Sequence, residues 1–343
     1  MISKEVDTKS QQGSLVSVIM PVRNEGPFIE RSLSSVISQT YPKELLEVVI
    51  ADGMSTDSTR ATIARIARGT AINIRVVDNP KKIAPTGLNC ALEVARGDYI
   101  VRIDGHCEIA PDYVENCVSL LSSDRAEGVG GPITTIGNSR RAGAIALAMS
   151  TTFGVGNSAF RTIKDSELFT DTVAFPGYTR KMIDKAGPFN EEMVRNQDDE
   201  YNFRIRKLGG RILLSPKIRS RYYSRSGFRS LWGQYFQYGY WKVRLMQLHP
   251  RQMSVRQFVP LIFVVSLLLL VVSAVFAPAA RWILAISAGA YVFANLGASI
   301  HAARSEIALI PFLALSYLIL HLSYGFGFLF GLVAFRGRWR KNP

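Results

Sequence analysis

Three apolar stretches, Phe258 to Phe276, Trp282 to Ile300 and Ile307 to Phe335, contain no Asp, Glu, Lys or Arg and are separated by little polar sequence. About 20 apolar residues cross a bilayer core, so the first two are long enough to span it and the third is longer than it needs to be. A buried core helix is the alternative for any one stretch, but three in succession point to a membrane. Whatever precedes them must fold as a body held at a membrane surface.

Charge follows the same division. Residues 1–203 hold 22 Lys and Arg against 26 Asp and Glu, whereas residues 204–343 hold 19 against the single acid Glu306, so the net charge of +14 belongs to the C-terminal part. The excess sits beside apolar runs, not in a groove-reading module, which argues against a nucleic-acid partner and for an anionic membrane surface. Residues 1–14 are polar, mixed in charge and without an apolar core or cleavage site. They read as a flexible leader and not a secretory signal, and the chain is expected to begin in the cytoplasm. Cys90, Cys107 and Cys117 are odd in number and lack metal-type spacing, as expected of reduced structural thiols.

From Leu15 onward, short β-branched runs alternate with helical patterns. The runs are Val16 to Met20, Leu46 to Ala51, Ile72 to Val77 and Asp98 to Ile103; the helical patterns lie near Ile29 to Ser38, Ser58 to Ala67 and Gly87 to Ala95. This alternation predicts an α/β domain with a mostly parallel sheet flanked by helices. In such sheets ligands collect beyond the carboxyl ends of the strands. Between this domain and the apolar stretches lies Ser226 to Gln257, with Phe228, Leu231, Trp232, Tyr235 and Phe236 at helical spacing. It reads either as an amphipathic helix in the membrane interface, its arginines toward phosphates, or as a helix packed on the soluble domain.

Four polar segments close the runs. Pro21-Val22-Arg23-Asn24-Glu25 ends the first and Ala51-Asp52 through Thr59 the second, where Asp57 suits a helix cap. Arg102-Ile103-Asp104-Gly105-His106 follows the fourth run. Asp104 and His106 at i and i+2 could both face a divalent cation, although Asp-Gly after a strand also suits an ordinary turn. The acids Asp198, Asp199 and Glu200 are consecutive and repel one another, so they are either solvated or held as a base at the mouth of a site.

Taken together, these residues over about Val16 to Leu213 resemble glycosyltransferase family 2, of the GT-A fold. The resemblance rests on Pro21, Asn24 and Glu25; on Asp52; on Gly87 to Asn89 and Gly97 to Ile100; on Asp104; and on Gln197 to Tyr201. The chain departs from the family pattern at Gly53, His106 and Gln197. The resemblance implies nucleotide-sugar contacts from Pro21, Arg23, Glu25, Asp52, Asn89 and Asp104, with Asp52 on uracil. It implies a divalent metal, Mn²⁺ or Mg²⁺, on Asp104 and His106, and Asp198 as the catalytic base. Acceptor contacts are implied for Gly177, Tyr178 and Asp199. Asp-Gly-His-Cys-Glu from Asp104, Arg-Asn-x-Asp-Asp-Glu from Arg195, and His-Leu-Ser-Tyr-Gly from His321 are similar to bacterial enzymes of succinoglycan-type exopolysaccharide assembly.

The implied function is inverting transfer of a sugar, glucose from UDP-glucose, to a hydroxyl of a polyprenyl diphosphate-linked saccharide. The implied location is the cytoplasmic face of the bacterial inner membrane, with a polysaccharide assembly complex as a possible partner. A polyprenyl-phosphate glycosyltransferase and a catalytically silent scaffold subunit stand as alternatives. A processive synthase is disfavoured because Gln234-Tyr235-Phe236-Gln237-Tyr238 lacks that class's Gln-x-x-Arg-Trp element. The expected plan is a leader over 1–14, a GT-A domain over 15–225, an interfacial segment over 226–257, a transmembrane region over 258–335 and a basic tail over 336–343. Three full crossings would leave that tail outside, against the positive-inside tendency. The last stretch is therefore expected either to fold back near Ser323 to Gly327 or to leave one stretch in the interface.

Overall fold

The computed structural model describes residues 13–224, 227–304 and 306–339; the leader over 1–12 and the end of the basic tail, 340–343, lie outside the described residues. The strands are β1 (Val16–Val22), β2 (Leu46–Asp52), β3 (Asn73–Asp78), β4 (Tyr99–Arg102), β5 (Cys107–Ile109), β6 (Gly128–Gly131), β7 (Ile133–Ile136), β8 (Leu168–Phe169), β9 (Ala174–Thr179), β10 (Ile212–Leu214) and β11 (Ser220–Tyr223). The helices that follow in chain order are α1 (Ile29–Ile37), α2 (Thr59–Arg68), α3 (Ala84–Val94), α4 (Tyr113–Ser122), α5 (Arg140–Ala148), α6 (Thr152–Val155), α7 (Ala159–Thr162), α8 (Arg180–Ala186) and α9 (Gln197–Lys207). The last four are α10 (Phe228–Leu248), α11 (Val259–Phe276), α12 (Pro278–Ala303) and α13 (Ile310–Ala334).

Contacts divide the chain into two compact units that interleave in sequence. The first takes the described residues of Met1–Gly131, Glu167–Phe189 and Arg204–Ser220; the second takes those of Pro132–Ser166, Asn190–Phe203 and Arg221–Pro343.

The first unit is built on an eight-stranded sheet ordered β3-β2-β1-β4-β9-β6-β10-β8. Strands β3, β2, β1 and β4 run parallel, as do β6 and β10, while β9 and β8 are antiparallel to their neighbours. The mostly parallel sheet expected from the alternation is present, with antiparallel strands set into its far half. Both β1 and β2 are buried along nearly their whole length, which is why they read as apolar runs without alternation. Strand order reverses at β1, with β2 on one side and β4 on the other, and this switch point is where such sheets open a crevice.

Two features bring α3 close under that crevice. The helix begins at Ala84, a turn before the Gly87 expected from the pattern, because Pro85 fits a first helical turn that needs no N–H bond. A Cβ at Gly87 would lie 3.0 Å from Asn79 Nδ2 and 3.4 Å from Pro21 Cβ, so glycine eases the close approach of the helix to the ends of β1 and β2. At the opposite strand ends, buried Glu47 of β2 accepts from Ser17 Oγ at 2.6 Å and Arg96 N at 2.6 Å, and Gly97 N donates to Ser17 Oγ at 2.7 Å. That network locks β1, β2 and the entry to β4 in register. Cys107 and Cys117 are buried free thiols, and burial pushes both pKa values up, in keeping with inert structural residues.

The second unit is organised by α13. Three of its helices, Val259–Phe276, Pro278–Ala303 and the segment Ile307–Ala334, are long and apolar enough to cross a membrane. The last forms one helix from Ile310 to Ala334 with no fold-back near Ser323 to Gly327, so that expectation is corrected. The glycines there serve packing instead. A Cβ at Gly327 would lie 2.0 Å from Phe236 O, one at Gly239 2.1 Å from Tyr324 O, and one at Gly331 2.6 Å from Tyr240 O. Helices α10 and α13 thus touch backbone to backbone, and Val243, Phe328 and Phe335 fill the seam between them.

Candidate active site

In the first unit, the segments after β1 and β2 are laced together. Asn24 adopts a left-handed φ of +53°, its N–H donates to Ser55 Oγ at 2.9 Å, and its Oδ1 accepts from Thr56 N at 2.9 Å. Glu25 N donates to Thr59 Oγ1 at 2.8 Å and Gly26 N to Asp57 Oδ2 at 2.9 Å. Asp57 also accepts from Thr59 N at 3.0 Å, so it ties the two loops together as well as serving the start of α2. Met54 and Lys82, after β2 and β3, share the left-handed conformation at φ +57° and +61°. Such conformations cost free energy in non-glycine residues and gather where a loop must present its backbone to a ligand.

Asp52 terminates β2 fully buried. Its Oδ2 accepts from Ser55 N at 3.0 Å and from Arg60 Nε at 2.5 Å, and Arg60 also pairs with Asp78 at the end of β3. Burial alone would raise the Asp52 pKa, but the hydrogen bonds from Ser55 and Arg60 outweigh it and hold the carboxyl below the usual aspartate range. Oδ1 of the same carboxylate is buried and accepts no hydrogen bond. A charged oxygen in that state is an acceptor waiting for a donor. Gly53 lies against the Arg23 stem, where a Cβ would come within 3.1 Å, and exposed Arg23 reaches Lys82 O at 3.4 Å across the end of the crevice. Pro21 is half-buried at the end of β1, paired in register with Ala51.

The loop after β4 closes on the loop after β1. A Cβ at Gly105 would meet Glu25 Cγ at 2.9 Å, so glycine is what permits the approach. Glu25 Oε1 lies 2.9 Å from His106 Nδ1, and Arg102 Nη2 donates to Asp104 Oδ1 at 2.7 Å. Asp104 stays partly open, its carboxylate 22% exposed. A carboxylate on one imidazole nitrogen is the usual support for a ligating histidine, leaving the ligand role to Nε2. Among the described residues no group of three His, Cys, Asp or Glu is arranged to hold a metal. The donor set fits a cation that takes most of its ligands from a bound diphosphate and water.

Asp198 and Asp199 open α9 in the second unit, behind Asn196 with a left-handed φ of +59°. The repulsion among the three acids is relieved locally. Asp199 Oδ2 accepts from the buried Lys242 Nζ at 2.5 Å, Glu200 Oε1 lies 3.1 Å from His249 Nε2, and the helix N-terminus favours all three charges. Gln252 Nε2 donates to Asp199 O at 2.7 Å, and Asn196 Nδ2 to Tyr238 O at 3.0 Å. The buried Arg244 of α10 pairs with Glu192 at 2.6 Å. These two α10 cations are thus turned to carboxylates of the protein and not to membrane phosphates, and Leu231 and Tyr235 are buried beside them on the same helix.

Other expected site residues are placed differently. Asn89 grips the backbone of Phe189, donating to its O at 3.0 Å and accepting from its N at 2.7 Å. Asn89 is therefore a clamp on the segment after α8, and a nucleotide contact from its amide would have to compete with that clamp. Gly177 and Tyr178 lie within β9, paired with Val101 and Ile100 of β4, and Tyr178 is 1% exposed. Direct contact with an acceptor is not open to the Tyr178 side chain. Asp199 is committed to Lys242. Sequence reasoning missed Arg60 and Asp78, which complete the Asp52 cluster. An arginine in the first turn of the helix that follows an acidic strand end was the available signal.

Residues 17–187 match the model of glycosyl transferase family 2. The succinoglycan biosynthesis protein ExoA of Rhizobium meliloti is 30% identical over 333 residues, spanning 94% of this chain and 96% of that protein. The chain belongs to glycosyl transferase family 2. A second family relative, a Methanococcus voltae glycosyltransferase named for a dolichyl N-acetyl-glucosaminyl phosphate acceptor, is 30% identical over 66% of this chain and 72% of its own length. The mannosyltransferase PcManGT from Pyrobaculum calidifontis, solved with GDP-mannose and Mn²⁺, shares the fold with a TM-score of 0.58 at 20% identity, covering 92% of this chain and 88% of that one. Membership makes this chain a nucleotide-sugar-dependent glycosyltransferase whose fold carries apolar C-terminal helices long enough to span a membrane.

Proposed function

We propose that this transferase moves glucose from UDP-glucose, with inversion, to a hydroxyl of a polyprenyl diphosphate-linked saccharide during bacterial exopolysaccharide assembly. In this reading its catalytic portion faces the cytoplasm from the inner membrane, and other subunits of an assembly complex are partners. The observation that carries the donor half is Oδ1 of Asp52, a buried carboxylate oxygen without a hydrogen bond at the end of β2. An imide N–H, such as N3–H of uracil, would complete it. The acceptor half is supported by relatives named for succinoglycan biosynthesis and for transfer to a dolichyl phosphate-linked sugar.

Asp198 takes the proton from the acceptor hydroxyl as that oxygen bonds to the anomeric carbon. The bond from that carbon to the diphosphate oxygen breaks on the opposite face, so an α-linked donor gives a β-linked product. Arg23 and Glu25, on the loop after β1, border the diphosphate. Asp104 and His106 would hold a divalent cation, Mn²⁺ or Mg²⁺, which when bound supplies positive charge to the departing diphosphate. Asp199, tied to Lys242, keeps the start of α9 in place for its neighbour Asp198.

Two measurements on purified protein test this. Donor hydrolysis across UDP-, GDP- and dTDP-sugars, with and without Mn²⁺, should favour UDP-glucose and need the metal. Asp198→Asn should bind UDP like the wild type while transfer falls by about 10²-fold or more; normal turnover in that variant removes Asp198 from the role.

A further inference from the structure

In the second unit, cations drawn into the protein meet carboxylates. Lys242 pairs with Asp199 and Arg244 with Glu192. Arg161, in the short helix α7, differs from them. Its guanidinium lies 5.4 Å from the Phe160 ring centroid, its Nη1 is buried, and that atom has no hydrogen-bond partner. A buried guanidinium nitrogen without an acceptor costs free energy unless something completes it.

The surroundings are polar and rich in donors. Arg161 is close enough to the buried Tyr235 for its charge to act on that phenol, and Tyr222 and Tyr238 act on the same group. Burial is the main influence there, raising the phenol's pKa and keeping it a proton donor. The Tyr235 and Tyr238 rings meet edge to face at 5.3 Å. Gln234 Nε2 donates to the Tyr238 oxygen at 3.0 Å and the Tyr222 oxygen at 3.3 Å. A second cation borders the same loop, since Arg256 donates to Asn157 O, four residues before Arg161. Arg256 also stands just before α11, the first apolar helix, which begins at Val259. A cation and several phenols beside the entry to apolar helices match a molecule with an oxyanion head and a hydrocarbon tail.

We propose that Arg161, with the phenols of Tyr222, Tyr235 and Tyr238 and with Arg256 at its edge, seats the phosphate group of a prenyl diphosphate-linked acceptor. This rests on the reading of the acceptor as lipid-linked and assigns that acceptor's charged head to residues of the second unit that have no donor role. Arg161 is a binding residue here and takes no part in proton transfer.

The test is equilibrium binding to the full-length protein in phosphatidylcholine nanodiscs, with EDTA present and no donor. The probes are farnesyl diphosphate, inorganic diphosphate and phosphatidylglycerol added to the discs. Farnesyl diphosphate should bind the wild type; Arg161→Gln should weaken it by about 10-fold or more, and Arg161→Lys should recover part of the loss. UDP affinity, measured separately with Mn²⁺, should be unchanged in both variants. Equal farnesyl diphosphate affinity in wild type and Arg161→Gln overturns the assignment. So does inorganic diphosphate binding as tightly as the prenyl compound, which would mark a free-anion site, or displacement by phosphatidylglycerol, which would mark a bilayer headgroup site. Parallel loss of UDP binding in both variants would show that Arg161 only maintains the fold, and equally ends the proposal. Binding is read here without transfer, so failure leaves the roles of Asp52 and Asp198 standing, whereas their failure would appear in the donor panel.

Discussion

At the residue scale, the behaviour of Asp52 follows from two opposed influences. Burial penalises its charge, and Ser55 and Arg60 restore it with a net lowering of the pKa. A carboxyl held below its usual range stays ionised as the pH falls from 7 through the ordinary aspartate value. The part of UDP affinity that is lost in Asp52→Asn, measured by calorimetry, should therefore stay flat over that interval and weaken only below it. Arg60→Ala leaves burial less opposed, so the same acid limb should move to higher pH. An unchanged limb would mean that Arg60 does not set the charge of Asp52. The motif residues Asp52 and Asp104 were legible in the sequence because they end β-branched runs. Arg60 and Asp78 were not, because one reaches back from a helix and the other sits on a neighbouring strand, and the spacing along the chain encodes neither meeting.

At the element scale, two seams hold the parts in place by different physics. In the sheet, Glu47 binds Ser17 and the backbone and side chain of Arg96. Burial would raise its pKa, but those hydrogen bonds lower it below the ordinary glutamate value. A depressed native pKa stabilises the fold above the unfolded value and loses that contribution as the pH drops through the native one. Glu47→Gln should flatten the acid side of a denaturation-versus-pH curve. Glu47→Ala should cost about 2–3 kcal/mol at neutral pH, below the roughly 3–5 of a fully buried pair, because Arg96 is mostly exposed. The α10–α13 seam depends on absent side chains instead. Gly327→Ala puts a methyl against Phe236 O and should destabilise by about 1–3 kcal/mol, seen as a lower melting temperature in detergent. Gly289→Ala on α12, where a Cβ meets nothing within 4 Å, should not destabilise.

At the scale of the whole molecule, the question is how many helices cross the bilayer. Helices α11 and α12 form an antiparallel pair with most residues exposed; only Val264 is buried on the first and Ala280, Asn295, Ser299 and Ala303 on the second. At 1.5 Å per residue α11 is about 27 Å long, close to a bilayer core. The start of α12, just past the turn at Ala277, carries Arg281 and the 73% exposed Trp282, residues suited to a far headgroup layer. Helix α13 has ten buried residues and packs on α10, α5 and α6 as well as on α11 and α12, with Gln247 donating to Phe335 O at its end. A hairpin that crosses twice, with α13 kept against protein, would place Arg251, Arg256, Arg304, Arg336 and Arg338 on one side, as the positive-inside tendency asks. Accordingly, a cysteine introduced at Gly337 should resist an impermeant thiol reagent in intact cells and react after permeabilisation. Labelling without permeabilisation would require three full crossings.

The sequence by itself determined the class of fold, the family, and the positions of the acidic strand ends. Those properties are written in local periodicity and in short motifs, which survive without knowledge of the partner segments. It also showed that three stretches were apolar enough for a membrane, because length and composition alone carry that. Only the tertiary structure decided what each polar side chain is paired with: Lys242 and Arg244 with acids instead of phosphates, Asn89 with the backbone of Phe189, and Asp52 with one oxygen satisfied and the other not. Pairing depends on which distant segments meet, and a hydrogen bond between residues a hundred positions apart leaves no periodic trace in the chain. The same reason hid the part played by Gly239, Gly327 and Gly331, whose lack of a side chain has meaning only once another backbone lies against it.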